Sequence, residues 1–333
     1  MATIYEVSEL AGVSLATVSR VMNGNTRVSE AKRTKVLAAM KELNYRPNSI
    51  AQSLASNCTN SVGLLVSELY GPFFGEMMSG VEGELRAAGK HVIVAAGHSD
   101  EASEKDAIEF LISRKCDALI LHVDAVSDEY LLDLNKKGTP VVVINRYVEG
   151  LGESCICLNN ELGGYLATKA VLEMGHRQIA YVSGPMWKMD VRERLAGHKR
   201  ALKEFGCEVP DSLYIEGDFH EEGGVAAMQQ LLKQKQPFTA VVCANDEMAC
   251  GVMNCARDND LDVPSDVSVM GFDNVIMSRY TFPHLTTIDF PSGEMGRMAA
   301  NWVRHHIYED KKKPLNTLFE PTLVLRDSLR KIA

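Results

Sequence analysis

What this chain lacks narrows it before anything it contains. None of its eight cysteines (58, 116, 155, 157, 207, 243, 250 and 255) falls in a C-x-x-C pair or in a Cys/His cluster with metal-ligand spacing, so they read as reduced core thiols and no metal is expected. The phosphate-cradling patterns G-x-G-x-x-G and G-x-x-x-x-G-K-[ST] are missing, as are H-E-x-x-H and G-x-S-x-G. His305 and His306 are adjacent on a helical stretch, so they point different ways and make a poor ligand pair. Neither an enzyme nor a cofactor is expected. No apolar run approaches the length of a membrane span, and MATIYEV holds no basic segment leading into an apolar one, so the expected location is cytoplasmic.

Basic charge is also scarce, except in one place. Residues 1–58 carry seven Lys/Arg (20, 27, 32, 33, 35, 41, 46) against four Glu (6, 9, 30, 42), a balance of +3, so with −9 for the whole chain everything after them carries −12. A basic head on an acidic body can lay a polyanion on the head while the body is repelled from it. At 333 residues and 46% hydrophobic content, there is enough chain for that head plus a body with a sizeable core.

The head has a readable local grammar. Thr3-Ile4-Tyr5-Glu6 is a capping box, and Ile4, Val7, Leu10 and Ala11 give helical spacing up to Gly12, which suits the positive φ of a tight turn. Ser14 can cap a second helix whose Val18 and Val21 turn inward beside Val13, leaving Leu15, Ala16, Thr17, Ser19 and Arg20 outside, before Asn23-Gly24-Asn25 stops it. Ser29 caps a third helix with an apolar stripe of Val36, Leu37, Met40 and Leu43. Two short helices across a Gly turn, completed by a third, form a helix-turn-helix. Arg20 can offer its fork to guanine O6/N7 or to phosphate, Thr17 and Ser19 can bond phosphates, and Leu15 and Ala16 can touch thymine methyls. A three-helix head for protein contact is the plainer alternative. After Arg46-Pro47-Asn48 a segment over 49–56 can form about two helical turns, with Ile50 and Leu54 on one face and Ala51 and Ala55 on the next, small enough for two copies to pack. Such a pair could wedge apolar side chains into a minor-groove step, or the segment is a capped linker.

From residue 60 onward, apolar strand-like runs alternate with helical patterns, twice over: Val62 to Val66, Val92 to Ala96, Ala118 to His122 and Val141 to Ile144, then Ile179 to Val182, Leu213 to Glu216, Ala240 to Cys243 and Val267 to Gly271. This is doubly wound α/β in two parallel-sheet lobes, and ligands bind such sheets beyond the strands' carboxyl ends. Those ends hold Asn145-Arg146, Asn245-Asp246 and Phe272-Asp273-Asn274, with Phe73-Phe74 and Phe219 adding aromatic surface. Amides, a carboxylate and a guanidinium around aromatic planes suit a neutral sugar, whose hydroxyls donate and accept and whose C–H face is apolar. The bland alternative is that strand-end Asn and Asp only cap helices, and Asp246 reads as such a cap. Thr286 to Pro291 returns as a strand to the first lobe, a helix follows from Glu294 to Tyr308, and Leu323 to Arg326 leads back to the second, so several crossings favour hinge closure.

The stretch ATIYEVSELAGVSLATVSRVMNGNTRVSEAKRTKVLAAMKELNYRPNSIAQSLA, with CDALILH, GHRQIAYVSG, RLAGHKRAL, FTAVVCANDEMACG, DVSVMGFDN and LTTIDFP, resembles the LacI/GalR family of bacterial transcription regulators over essentially the whole chain. INR, FTAVVCANDEMA and SRYTFPHLTTI resemble its galactose-responding branch. The resemblance implies a helix-turn-helix head over 1–46, a hinge over 47–58 and a periplasmic-binding-protein-like body over 59–333. The two lobes would span 59–158 plus 290–320, and 159–289 plus 321–333. It implies double-stranded, near-palindromic operator DNA as a partner, read by Leu15, Ala16, Thr17, Ser19, Arg20 and Asn25 with Leu54 as the wedge. It also implies a small-molecule effector, D-galactose or a related sugar, contacted by Phe73, Phe74, Asn145, Arg194, Phe219, Asn245 and Asp273, and a homodimer, since the C-terminal leucine heptad of tetrameric members is missing after VLRDSLRKIA. Asn274 stands where a second carboxylate would follow GFD and is expected to shift sugar preference. A phosphorylated carrier protein as co-effector and a sugar-binding receptor without DNA function remain the alternatives.

Overall fold

The computed structural model describes residues 2–22, 27–46, 58–234, 236–309 and 316–332. Asn25, the hinge segment 49–56 with Leu54, and Lys311 to Lys313 lie outside the described residues. The chain divides into two compact units, residues 1–60 and 61–333.

In the first unit, α1 (Ile4–Ala11), α2 (Leu15–Met22) and α3 (Glu30–Glu42) pack around Val7, Ala11, Val18, Val21, Val36 and Ala39. Both halves of the capping box form: the Thr3 hydroxyl accepts from the Glu6 amide, and the Glu6 carboxylate accepts from the Thr3 amide at 2.6 Å. Gly12 takes φ +61° at the α1 C-cap, which lets α2 turn back over α1. Ser14 Oγ accepts from the Thr17 amide. Two expectations for α3 fail. Ser29 holds the cap position without a side-chain bond, its carbonyl accepting from the Lys32 and Arg33 amides instead. Leu37 is half exposed, because Ala39, with Met40 and Leu43 beside it, faces the core where Leu37 was placed.

The second unit holds two parallel sheets. The larger is ordered β11-β5-β4-β3-β1-β2, from β1 (Ser61–Val66), β2 (His91–Ala96), β3 (Ala118–Leu121), β4 (Val141–Ile144), β5 (Cys155–Leu158) and β11 (Leu318–Phe319). The smaller is ordered β7-β6-β8-β9, from β6 (Ile179–Ser183), β7 (Tyr214–Glu216), β8 (Ala240–Cys243) and β9 (Ser268–Met270). Leu64, Ile120 and Val142, like Val182, Val241 and Val269, are wholly buried, as expected of strands covered on both faces by helices. Strand order reverses between β1 and β3 in one sheet and between β6 and β8 in the other, and crevices open at such points. The helix Asp128–Lys136 and the strands Cys155–Leu158 and Leu318–Phe319 were not foreseen. A two-residue edge strand and the four-residue strand beside it carry too little periodicity to be read.

The crossings form a ribbon. β10 (Thr287–Asp289) pairs antiparallel with β12 (Thr322–Val324), so the outward and return passages between lobes brace each other. The intervening helix begins at Ser292, and its last five residues, Arg304–Tyr308, widen into a π turn.

Candidate functional site

On α2, Ala16 and Arg20 are exposed, and Leu15, Thr17 and Ser19 are half-buried, so none of the five is absorbed by the core. Thr17 Oγ1 lies 3.0 Å from Ser14 Oγ. The face is small and polar apart from Leu15, and carries one guanidinium.

In the body, residues following the carboxyl ends of both sheets converge on one cleft with about 720 Å³ of empty space, part of it open to solvent. All seven residues expected for a ligand line it. Phe73 and Phe74 open the helix Pro72–Ala87, with ring centroids 5.1 Å apart at 82°, and Phe73 stands edge-on to Phe290 at 4.8 Å. Phe219 follows β7, its ring lying where a side chain on Gly184 would otherwise sit, 2.4 Å from the ring carbon.

Arg194 is the organising charge. It lies on the helix Met189–Glu204, which crosses Asn160–Glu173 so closely that a Cβ on Gly164 would meet the Arg194 carbonyl oxygen at 2.0 Å and one on Gly197 the Glu161 carbonyl oxygen at 1.9 Å. The two glycines therefore set the depth of Arg194 in the cleft. Only 3% exposed, its guanidinium stacks 3.8 Å above Phe272, with Nε donating to Asn160 Oδ1 at 3.0 Å and Nη1 to the Ala244 carbonyl at 2.5 Å. Asp273 Oδ1 is 3.6 Å from Nη1 and has no hydrogen bond, although buried. Burial raises the Asp273 carboxyl well above the usual carboxylate range despite Arg194, and the nearby Asp246, Glu247 and Asp190 carboxyls push the same way. A buried oxygen lacking a donor beside a guanidinium is prepared for a hydroxyl.

Strain concentrates here. Asn145, Phe219 and Asp273 have φ of +62°, +76° and +106°; for Phe and Asp such conformations cost on the order of 1–3 kcal/mol each and persist only where the surroundings enforce them. The enforcing bonds are visible. Asn245 Nδ2 donates to the Phe219 carbonyl at 2.7 Å while its Oδ1 accepts from the Met248 amide at 3.0 Å. Asp246, wholly buried, accepts from the Val275 amide at 2.9 Å and the Thr287 hydroxyl at 2.6 Å, pinning the loop that carries Asp273 to the ribbon. The cap of the helix Asp246–Asp258 is thus Asn245, not Asp246. Asn145 accepts from Asn160 Nδ2 at 3.1 Å and donates to Asp190 Oδ2 at 3.4 Å.

Three further expectations change. Asn274 is turned away from the cleft, donating to Asp289 Oδ1 and accepting from Arg326, so it ties the loop to the ribbon and does not line the cleft. Arg146 bonds the Val126 carbonyl and Asp128 in the first lobe. The cysteines include no disulfide among the described residues, but only 155, 243, 250 and 255 are core-buried; 58, 116, 157 and 207 are intermediate. The sequence reading also missed cleft residues: Ser67, Ser99, His122, Asp124, Lys188, Asp190 and Glu247. Asp124 and Lys188 follow β3 and β6, so the strand-end rule applied there would have found them.

Residues 3–48 match the model of bacterial regulatory proteins of the lacI family, and 168–329 that of the periplasmic binding protein-like domain. The HTH-type transcriptional regulator GalR of Escherichia coli (strain K12) is 41% identical over 330 residues, 99% of this chain and 96% of that protein. The chain belongs to the LacI family. Among solved structures, the lac repressor dimer bound to operator and the anti-inducer ONPF matches this LacI-family chain with TM-score 0.88 at 29% identity, over 99% of both chains. A LacI-family regulator from Enterococcus faecium with bound ribose matches with TM-score 0.73 at 28% identity, covering 82% of this chain and 100% of that one. This LacI-family protein is a DNA-binding transcriptional regulator with a helix-turn-helix head and a two-lobed α/β body.

Proposed function

We propose that the protein is a homodimeric repressor of sugar-use genes that binds a near-palindromic operator through its heads and releases it when D-galactose occupies the cleft between the lobes. The observation that carries the sugar reading is the buried, donor-less Asp273 oxygen beside Arg194, flanked by Phe73, Phe74 and Phe219: an acceptor, a donor fork and apolar planes in one cavity. Similarity to GalR favours galactose among the neutral sugars. In the head, Leu15, Ala16, Thr17, Ser19, Arg20 and Asn25 read the operator, with Leu54 as the minor-groove wedge. Asn145, Arg194, Asn245 and Asp273 hold the sugar's hydroxyls or the groups that do, Asn245 acting chiefly by fixing Phe219.

The sugar acts through its differential affinity for two arrangements of the lobes, and contacts from both lobes make closure the favoured one. The protein is a regulator and not an enzyme, in keeping with the regulators it resembles, and works in the cytoplasm where its operator is; no described helix is long and apolar enough to cross a membrane. Fluorescence anisotropy of the full-length protein on a palindromic operator at fixed salt tests this reading. Release by D-galactose at submillimolar concentration is the expected result. Tight operator binding indifferent to galactose and to a panel of other neutral sugars would overturn the sugar reading.

A further inference from the structure

Two charged side chains meet across the lobes away from Arg194. Asp124 leaves the larger sheet at its switch point after β3, and Lys188 leaves the smaller sheet at its own, after β6. Lys188 Nζ lies 2.8 Å from Asp124 Oδ2 and 2.9 Å from Ser99 Oγ, with both charged side chains at most 15% exposed. The Ser99 and Ser67 hydroxyls also donate to Oδ2, at 2.7 and 3.2 Å. Three donors thus converge on one carboxylate oxygen and none of these bonds uses Oδ1, while the ammonium spends two of its three N–H groups. The ammonium also stands 5.6 Å from the Phe219 ring centroid, on the same wall as the proposed sugar site. Burial works to raise the Asp124 carboxyl, but His122 and the Lys188 charge and hydrogen bond bring it down to about 2, so it is ionised at neutral pH.

We propose that Asp124 and Lys188 form a second hydroxyl-reading station in the cleft, one group from each lobe, with Oδ1 accepting from and the third Lys188 N–H donating to a hydroxyl of an uncharged sugar, and that the cleft rejects phosphorylated and carboxylated sugars. It rests on the reading that the cleft binds a sugar. One hydroxyl held this way touches both lobes at once, which makes the contact sensitive to their closure. The selectivity follows from charge. The permanent cations among the described lining residues are Lys188, paired with Asp124, and Arg194, which lies 3.8 Å from Asp190 and 3.6 Å from Asp273, while Glu68, Asp218 and Glu247 add carboxyls around the same space. A phosphoryl group would be desolvated in this acidic cleft with no uncommitted cation to meet it.

Isothermal titration of the intact protein with D-galactose, D-galactose 6-phosphate and D-galacturonate tests this, on wild type, Lys188→Met, Lys188→Arg, Asp124→Asn and the Lys188→Met/Asp124→Asn double variant. Expected are galactose binding at least a hundredfold tighter than either anion in wild type, a loss of tenfold or more in Lys188→Met, and partial recovery in Lys188→Arg. The double variant should lose less than the two single losses combined, the signature of groups acting as a pair. Asp124→Asn keeps the shape of the site, so it carries the test if Lys188→Met unfolds. Wild-type affinity for galactose in either of these two single variants, or equal wild-type affinity for galactose and its 6-phosphate, would overturn the station while leaving the sugar reading standing. A wild type that binds none of the three would overturn both.

Discussion

The head and the body solve recognition in opposite ways. On the head, the described side chains proposed to read DNA sit on one short helix, are exposed or half-buried, and owe their placement to a six-residue core and to caps made within three residues of each other. In the body, the groups proposed to meet a ligand are buried or half-buried and bonded to one another across long stretches of chain: Arg194 to Asn160 and Ala244, Lys188 to Ser99 and Asp124. A polyanion of regular shape can be met by an exposed comb of side chains, because its phosphates remain accessible. A small neutral polyol must be desolvated and enclosed, and only an interior held in advance by its own hydrogen bonds can do that without losing the energy to reorganisation.

Arg194→Ala should break the body most severely. Removing the guanidinium leaves Asn160 Oδ1 and the Ala244 carbonyl without their donor, each at a cost of about 1–3 kcal/mol; denaturant unfolding should show that loss, and calorimetry the loss of sugar binding. Arg20→Ala is the mirror experiment. A base-reading fork is worth about 1–3 kcal/mol of operator affinity, so operator binding should weaken tenfold or more in anisotropy while galactose affinity stays at the wild-type value.

The third prediction concerns pH and belongs to the body alone. Burial raises the Asp246 carboxyl to about 7 against the hydrogen bonds from Thr287 and Val275. Because its folded value lies above the unfolded one, near 3.9, the protonated form is favoured by folding; that contribution is complete below pH 4 and is lost as pH rises through about 7. The body should therefore melt at lower temperature at pH 8.5 than at pH 5.5, with a shallower dependence in Asp246→Asn. The smallest effect is expected in the head: Thr3→Ala removes the hydroxyl half of the capping box and should lower head stability by about 1 kcal/mol, seen as a loss of helical circular dichroism at lower temperature with sugar binding unchanged.

This contrast also explains what could be read in advance. The capping box, the Gly12 turn and the inward Val18 and Val21 are local facts, legible because neighbours in sequence are neighbours in space. The alternating strands and the strand-end rule led to the cleft and to Asn145, Asn245 and Asp273, with Phe73 as added aromatic surface. What stayed hidden depended on packing between distant segments. The use of both ends of the Asn245 amide, the diversion of Asn274 to Asp289 and Arg326, and the positive φ of Phe219 and Asp273 arise only when loops from different strands meet. Asp246 looked like a helix cap because a carboxylate at a strand-to-helix junction usually is one; its burial against Thr287, 41 residues away, leaves no local trace. Leu37 was misplaced for a simpler reason, since a short helix in a small core buries fewer positions than its apolar stripe offers.

The measurement that bears most directly on the division of labour is the operator dissociation constant of wild type and of Asp273→Asn, each with and without saturating D-galactose at one salt concentration. The account predicts that galactose raises the wild-type constant a hundredfold or more and leaves that of Asp273→Asn nearly unmoved. An Asp273→Asn protein released by galactose as readily as wild type would contradict it.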